Sequence, residues 1–365
     1  MASAATLKGL GALVGEIPLE SIQGKAGVST IPKDLKTLAS YNLLSKRKRT
    51  IVVPGFPSIW APADDPKKVK RDAGLYIRDP NRYIFPRSPL EPLFRAIATT
   101  QPNFNMKGVD LVTDRRNLRH LLNFVCGKKT ALRIGVEAIQ STVLFSCWTQ
   151  NCLDHIEGFG GYGHEFEKVS TKKPHGMEDS VTHSRIIRYS LGGVNMILRF
   201  EVDACTASEE DLHEKMAVLS KHRTPTGYVV LNQGYMVGAS RLAEIKTGRS
   251  GSRQCKSRLM AQMWFSQTQN LCVGRYDADG VFFNIMQRNL ALEGLLLEWE
   301  SRYREKLSEL VRVIEMISEM VRAAPPGKYA LVRHLGESAL KMYRATDQGD
   351  NNIPEDLLTM WKSET

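Results

Sequence analysis

The spacing of apolar residues changes several times along the chain, and each change marks an element. Leu90 to Thr99 carries helical spacing. Arg115 to Val125 (RRNLRHLLNFV) sets Leu118, Leu121, Leu122 and Val125 on one side, the three-and-four step of an amphipathic helix. Strand-like runs follow at Leu132 to Val136, Ser141 to Trp148, Ile186 to Tyr189 and Val194 to Asp203, then at Gly227 to Leu231 and Arg241 to Thr247. A helix over roughly Cys255 to Thr268 precedes a strand at Leu271 to Tyr276. Asp277-Ala278-Asp279-Gly280 then reads as a hairpin turn into Val281 to Met286. Near the end, Tyr303, Leu307, Leu310, Ile314, Ile317 and Val321 form an apolar stripe that Pro325-Pro326-Gly327 terminates. The stripe predicts a packed core helix, with a coiled-coil partner face as the alternative.

The N-terminal quarter lacks such periodicity. Residues 1–50 read as an irregular extension ending in Lys46-Arg47-Lys48-Arg49, either a nuclear import signal or a solvated basic loop. Residues 51–89 hold seven prolines among aromatics, a composition that opposes helix and central strand and predicts an extended segment wrapped over the surface. The expected architecture is a single α+β domain: a mixed β-sheet core flanked by helices over 90–345, with 346–365 as a C-terminal tail.

Charge narrows the partner. Fifty Lys and Arg stand against 39 Asp and Glu, a net charge of +11, which favours a polyanion such as nucleic acid. The six cysteines (Cys126, Cys147, Cys152, Cys205, Cys255, Cys272) contain no C-x-x-C pair, which argues against zinc and for reduced thiols inside a cell. No run of about 18 apolar residues occurs, so no membrane span is expected. A nuclear or cytoplasmic location is the corresponding expectation.

Candidate chemistry lies in two short strand units. Residues i and i+2 of a strand share a face, so Glu201 and Asp203 would project together, as would Glu244 and Lys246. Either unit alone has an ordinary account: one wet face of an antiparallel strand, or a cross-strand salt bridge. Together, an E-x-D strand, an E-x-K strand and a helix bearing Gln262 follow the layout of the PD-(D/E)xK nuclease core, in which carboxylates hold metal against a phosphate.

Further residues extend this order. Val112-Thr113-Asp114-Arg115-Arg116-Asn117-Leu118 places an arginine at a helix start, and Gly163-His164-Glu165-Phe166-Glu167 is a glycine-led run ending in glutamate. Phe200-Glu201-Val202-Asp203, Ala243-Glu244-Ile245-Lys246-Thr247, and Ala261-Gln262 followed by Leu271 to Gly280 complete the set. In this order the five motifs resemble those of the decapping exoribonucleases (DXO-like proteins), over roughly residues 90 to 345, as a divergent, fungal-type member. The resemblance implies that Glu167, Asp203 and Glu244 ligate divalent metal, Mg²⁺ or Mn²⁺, as two ions. The Ile245 carbonyl would join them and Glu201 would act through a bound water. Lys246 and Gln262 would meet the scissile phosphate or the attacking water, and Arg115 would grip RNA phosphate. Arg116, Lys128 and Lys129, with Lys107 and Arg119, could line a path for the 5′ end through sequence-independent contacts.

The implied activity is metal-dependent hydrolysis at RNA 5′ ends: removal of incomplete or non-canonical caps or of 5′ pyrophosphate, with 5′–3′ exonuclease digestion as an extension. The alternative is a non-catalytic RNA-binding protein that partners or stabilises another nuclease; a DNA-directed nuclease of the same core is a third reading. Other patterns lead nowhere. His155, His164, His175 and His183 match no zinc spacing, and Gly158 to Gly163 lacks the Lys-Ser/Thr of a P-loop. Asp64-Asp65 sits beside prolines, where the helical aspartate-rich site of a prenyl diphosphate synthase would not form.

Overall fold

The structure is a computed structural model that describes residues 7–25, 27, 29–45, 48–158, 160–206, 218–250, 256–346 and 353–362. Lys46 and Arg47 of the basic run, Cys255, and residues 207–217 of the loop after the third motif lie outside the described residues.

Two sheets organise the chain. Across the larger one the order is Leu10–Pro18, Ala339–Ala345, Lys328–Arg333, Leu132–Ile139, Thr142–Cys147, Leu111–Asp114, Val194–Glu201, Ser180–Leu191, Lys33–Leu44, Thr50–Gly55, Val229–Gly234 and Val218–Arg223. The smaller one runs Thr171–Lys172, Ile59–Trp60, Ala204–Cys205, Leu242–Arg249, Asn270–Tyr276, Val281–Asn289 and Lys67–Lys68. The helices Arg115–Val125 and Leu295–Ala323 cover one face of the larger sheet through Leu118, Leu121, Leu310, Ile314 and Ile317. On the opposite face lie the helix Glu91–Thr100 and the turn Glu355–Trp361, where Phe94 and Trp361 meet. The apolar stripe of the long helix is therefore core. No helix among the described residues is long and apolar enough to cross a membrane.

The predicted helices and strands from Glu91 to Ala323 form at nearly the expected places, and the single mixed α+β architecture holds. The N-terminal reading needs correction. Residues 10–18 and 33–44 are strands of the larger sheet, not an irregular extension. From Leu38 to Leu44 the second strand is buried on both sides, so it shows no alternation of apolar and polar residues to betray it. Part of the proline-rich segment is also regular. Thr50–Gly55 lies inside the sheet, and Pro80–Ile84 is a helix with proline in its first turn, where the missing N–H is not needed. The strands Lys328–Arg333 and Ala339–Ala345 follow Pro325-Pro326-Gly327, where no element was predicted.

Two local features position the candidate residues. Gly192-Gly193, both at positive φ, make the two-residue turn between Ser180–Leu191 and Val194–Glu201, and that register sets Ser184 opposite Glu201. Gly274, on Asn270–Tyr276, lies against the Phe166 ring, which a Cβ at 274 would strike. Phe166 also stacks on Phe282 at 4.3 Å, seating the helix Gly163–Ser170 on the smaller sheet. Gly274→Ala is expected to cost about 1–3 kcal/mol by overpacking. Thermal unfolding checks this, and a change within error would refute the seating role.

Candidate active site at the junction of the two sheets

The chain leaves the larger sheet at Glu201 and enters the smaller one at Ala204, so Val202 and Asp203 form the crossing. Ala204 pairs with Ala243 and Cys205 with Leu242, and this antiparallel register carries Asp203 opposite Glu244. Leu242–Arg249 and Asn270–Tyr276 are parallel, which requires a crossover; the helix Lys256–Ser266 supplies it and brings Gln262 over Glu244. Glu201 and Asp203 thus belong to a strand end and a crossing rather than to one face of one strand.

Glu244 is the centre, at 2% exposure. Its Oε1 accepts from Lys246 Nζ at 2.5 Å and from Gln262 Nε2, and its Oε2 accepts from Arg115 Nη1 at 3.2 Å. Burial alone would raise its pKa, but Lys246 and Arg115 outweigh burial and hold the carboxyl down at about 2. The expected shared face of Glu244 and Lys246 is therefore present, as an ion pair within one strand rather than across two. Asp203 Oδ2 accepts the Ile245 N–H at 2.8 Å, and burial, then the Glu244 charge, push its carboxyl well above the usual range. Glu201, at the exposed strand end, accepts from Thr182 Oγ1 at 2.8 Å.

Glu167 faces this cluster from the helix Gly163–Ser170. No local side chain caps that helix. Asp72, buried and some 90 residues upstream, accepts from the His164 and Glu165 N–H groups at 3.2 and 2.9 Å. The sequence offered no signal for this contact, because the capping residue is remote. Burial, then the charges of Glu201 and Glu244, raise the Glu167 carboxyl to about 7. A folded-state pKa above the ordinary value means stability that is full below about pH 4.5 and is lost as pH rises through 7. Without divalent metal, stability is expected to fall between pH 5 and 8 by on the order of 1 kcal/mol, discounted for partial exposure. Glu167→Gln should flatten that slope in urea unfolding at the two pH values; an unchanged slope would refute the assignment.

Beside the carboxylates lies a cleft of about 220 Å³ lined by Arg78, Arg115, Arg116, Arg119, Glu201 and Gln262. Arg115 opens its helix, and Arg119, one turn on, donates to Gln262 Oε1 at 3.3 Å. Burial and the neighbouring Arg258 and Arg115 lower Arg119 to about 10, a sign of crowded positive charge. Arg258 was not anticipated, although it stands four residues before Gln262 on the same helical face. Lys128 and Lys129 do not join the cleft. They follow the far end of the helix Arg115–Val125, roughly 15 Å along its axis from Arg115, because adjacency in a helical sequence does not mean adjacency at its start.

Among the described residues no three His, Cys, Asp or Glu side chains are gathered as a ready metal cage. Of the expected ligands, Asp203, Glu244 and the Ile245 carbonyl are turned into internal bonds, and Glu167 feels the charges of Glu201, Lys246 and Glu244. The donor set nevertheless suits a hard divalent cation, since it is all oxygen. A stand-in cation already fills its focus: Lys246 Nζ lies 2.5 Å from Glu244 Oε1, 2.9 Å from the Ile245 carbonyl and 3.7 Å from Asp203 Oδ2.

Among solved structures the chain shares its fold with Rai1 of S. pombe, at a TM-score of 0.58 and 13% identity over 90% of this chain and 99% of that one. Rai1 of Candida albicans, in complex with pU5 and Mn²⁺, gives 0.58 at 12% identity, covering 95% of this chain and 98% of that one. Dxo1 of K. lactis, in complex with manganese, gives 0.52 at 9% identity, covering 91% and 98%. The motif resemblance to DXO-like proteins is thus matched by the fold, in a divergent sequence. No curated protein sequence matches the chain. Residues 19–361 match one family over nearly the whole chain, and the protein belongs to that family, described as a domain of unknown function (DUF8563).

Proposed function

We propose that the protein is a metal-dependent phosphohydrolase acting on RNA 5′ ends, removing non-canonical or incomplete caps or 5′ pyrophosphate. The observation that carries this reading is the convergence of Glu167, Asp203, Glu244, Lys246 and Gln262 at the sheet junction, beside an arginine-lined cleft. The Glu244–Lys246 strand, the crossover helix and Gln262 support a PD-(D/E)xK reading of the core. The shared fold with a Rai1 structure holding pU5 and Mn²⁺ points to a 5′-terminal RNA phosphate as the ligand.

Asp203, Glu244 and the Ile245 carbonyl would hold Mg²⁺ or Mn²⁺, with Glu167 and Glu201 nearby. When bound, such an ion supplies Lewis-acid polarisation of a phosphoryl oxygen. The protein's own groups do the rest. Arg115, Arg116 and Arg119 fix the phosphate chain through charge-assisted hydrogen bonds that carry no sequence preference. Gln262, held between Glu244 and Arg119, orients what enters between them. The cleft's partial burial strengthens each of these contacts relative to water.

The test supplies 5′-capped, 5′-triphosphate and 5′-monophosphate RNA with Mg²⁺ or Mn²⁺ to the protein and to an Asp203→Ala/Glu244→Ala double variant. Metal-dependent product from the parent alone supports the reading. Product that persists in the variant, or no metal-dependent product from any substrate, would sink the enzyme reading, and RNA bound without any product would favour the non-catalytic alternative.

A further inference from the structure

Three oxygens from three residues converge on one point, and the chain's own ammonium occupies it. Lys246 Nζ donates to Glu244 Oε1 at 2.5 Å and to the Ile245 carbonyl at 2.9 Å, and Asp203 Oδ2 is 3.7 Å away. We propose that Lys246 is a tethered counter-cation, which holds these oxygens together while no divalent ion is bound and must swing out for one to enter. The proposal rests on the reading that this cluster takes a divalent metal.

Geometry excludes joint occupancy. Oxygen-bound Mg²⁺ or Ca²⁺ sits about 2.0–2.6 Å from its ligands, and the ammonium, at 2.5, 2.9 and 3.7 Å from these oxygens, stands in the space such an ion would fill. Two cations so close in a half-buried site repel strongly. Of the three groups on Glu244, only Lys246 can leave easily. Its side chain is 34% exposed on a flexible four-carbon stem, whereas Arg115 is 10% exposed and also donates to Ser266 Oγ and the Glu201 carbonyl. Gln262 is neutral and shares Glu244 Oε1 without opposing an ion. Metal entry and release of the Lys246 ammonium are therefore one event, and an anion in the cleft meets a free lysine only after the metal has arrived. This assigns Lys246 a positioning role toward the metal as well as any contact with phosphate.

The test is calorimetric titration of Mn²⁺ into the full chain, comparing the parent with Lys246→Met and Lys246→Gln, with thermal unfolding of each before and after loading. Both variants are expected to melt lower than the parent without metal, since Glu244 has lost its counter-charge. Both should bind Mn²⁺ roughly tenfold more tightly, because no cation has to be displaced. Their gain in melting temperature on loading should exceed that of the parent. Lys246→Gln, which can keep a hydrogen bond to Glu244, covers the case in which the methionine variant does not fold. Lys246→Arg, which retains a tethered cation, should not show the tighter binding. Equal or weaker Mn²⁺ binding by the neutral variants overturns the proposal while leaving the metal site standing. Absence of Mn²⁺ binding to parent and variants alike removes both the proposal and the metal-dependent reading.

Discussion

Replacing Arg199 by methionine should lower the unfolding free energy by about 3–5 kcal/mol, the usual penalty for stranding one member of a buried ion pair. Arg199 is 3% exposed. It donates from Nε to Asp114 Oδ1 at 2.6 Å and from Nη2 to Asp114 Oδ2 at 3.0 Å, a bidentate pair joining two parallel neighbouring strands. Its Nη1 also donates to the Pro89 carbonyl at 2.8 Å and the Tyr41 hydroxyl at 3.2 Å. Burial works against the charge, but Asp114 keeps the guanidinium firmly protonated. Methionine would fill much of the volume yet leave the Asp114 carboxylate without its partner. Urea unfolding measures the loss, and Asp114→Asn in the same chain should restore part of it by removing the orphaned charge. A loss under about 1 kcal/mol would refute the account. Since Asp114 immediately precedes Arg115, the pair also anchors the start of the helix that presents Arg115 to Glu244.

The second large effect concerns activity. On the proposed function, Glu244→Gln should reduce metal-dependent hydrolysis roughly 10³-fold, equivalent to about 4 kcal/mol of lost transition-state stabilisation. The reasoning is electrostatic. Glu244 is the buried charge on which Lys246, Arg115 and Gln262 all converge, and glutamine keeps the shape while removing the charge. Initial rates on a 5′-triphosphate RNA with Mn²⁺, beside a circular dichroism melt of each protein, separate chemistry from folding. A Glu244→Gln protein that folds and keeps more than a tenth of the parent's rate would sink the assignment. Glu201→Gln, at an exposed strand end, should cost less.

Much of the architecture was legible because it is written in short-range periods. The Arg115–Val125 helix and the Val194 and Leu242 strands could be read from residues three, four or two apart, with ends close to those observed. Lys33–Leu44 was not legible, because its Leu38–Leu44 stretch, buried on both faces, has no alternation and takes its partners from Thr50–Gly55 and Ser180–Leu191. Val194–Glu201 shows the same limit of local pattern. One wet face was the ordinary account of this strand taken alone, yet Arg199 on that face is buried because Asp114 arrives from another strand to neutralise it.

The order of acidic, lysine and glutamine positions was available from the chain alone, as were the residue types suited to metal and phosphate, because composition and spacing are local properties. Only the folded chain decided how they meet. The crossing between sheets separates Glu201 from Asp203, and a remote aspartate, Asp72, caps the helix that carries Glu167. Helix length leaves Lys128 and Lys129 out of the cleft, while Arg119 lines it with the charge of Arg258 close by. The Lys246 ammonium meets Glu244 and the Ile245 carbonyl within one strand, and Asp203 joins them only through the crossing between the sheets. Local pattern carries the identity of a charge, but its partner and its burial are set by segments hundreds of bonds away along the chain.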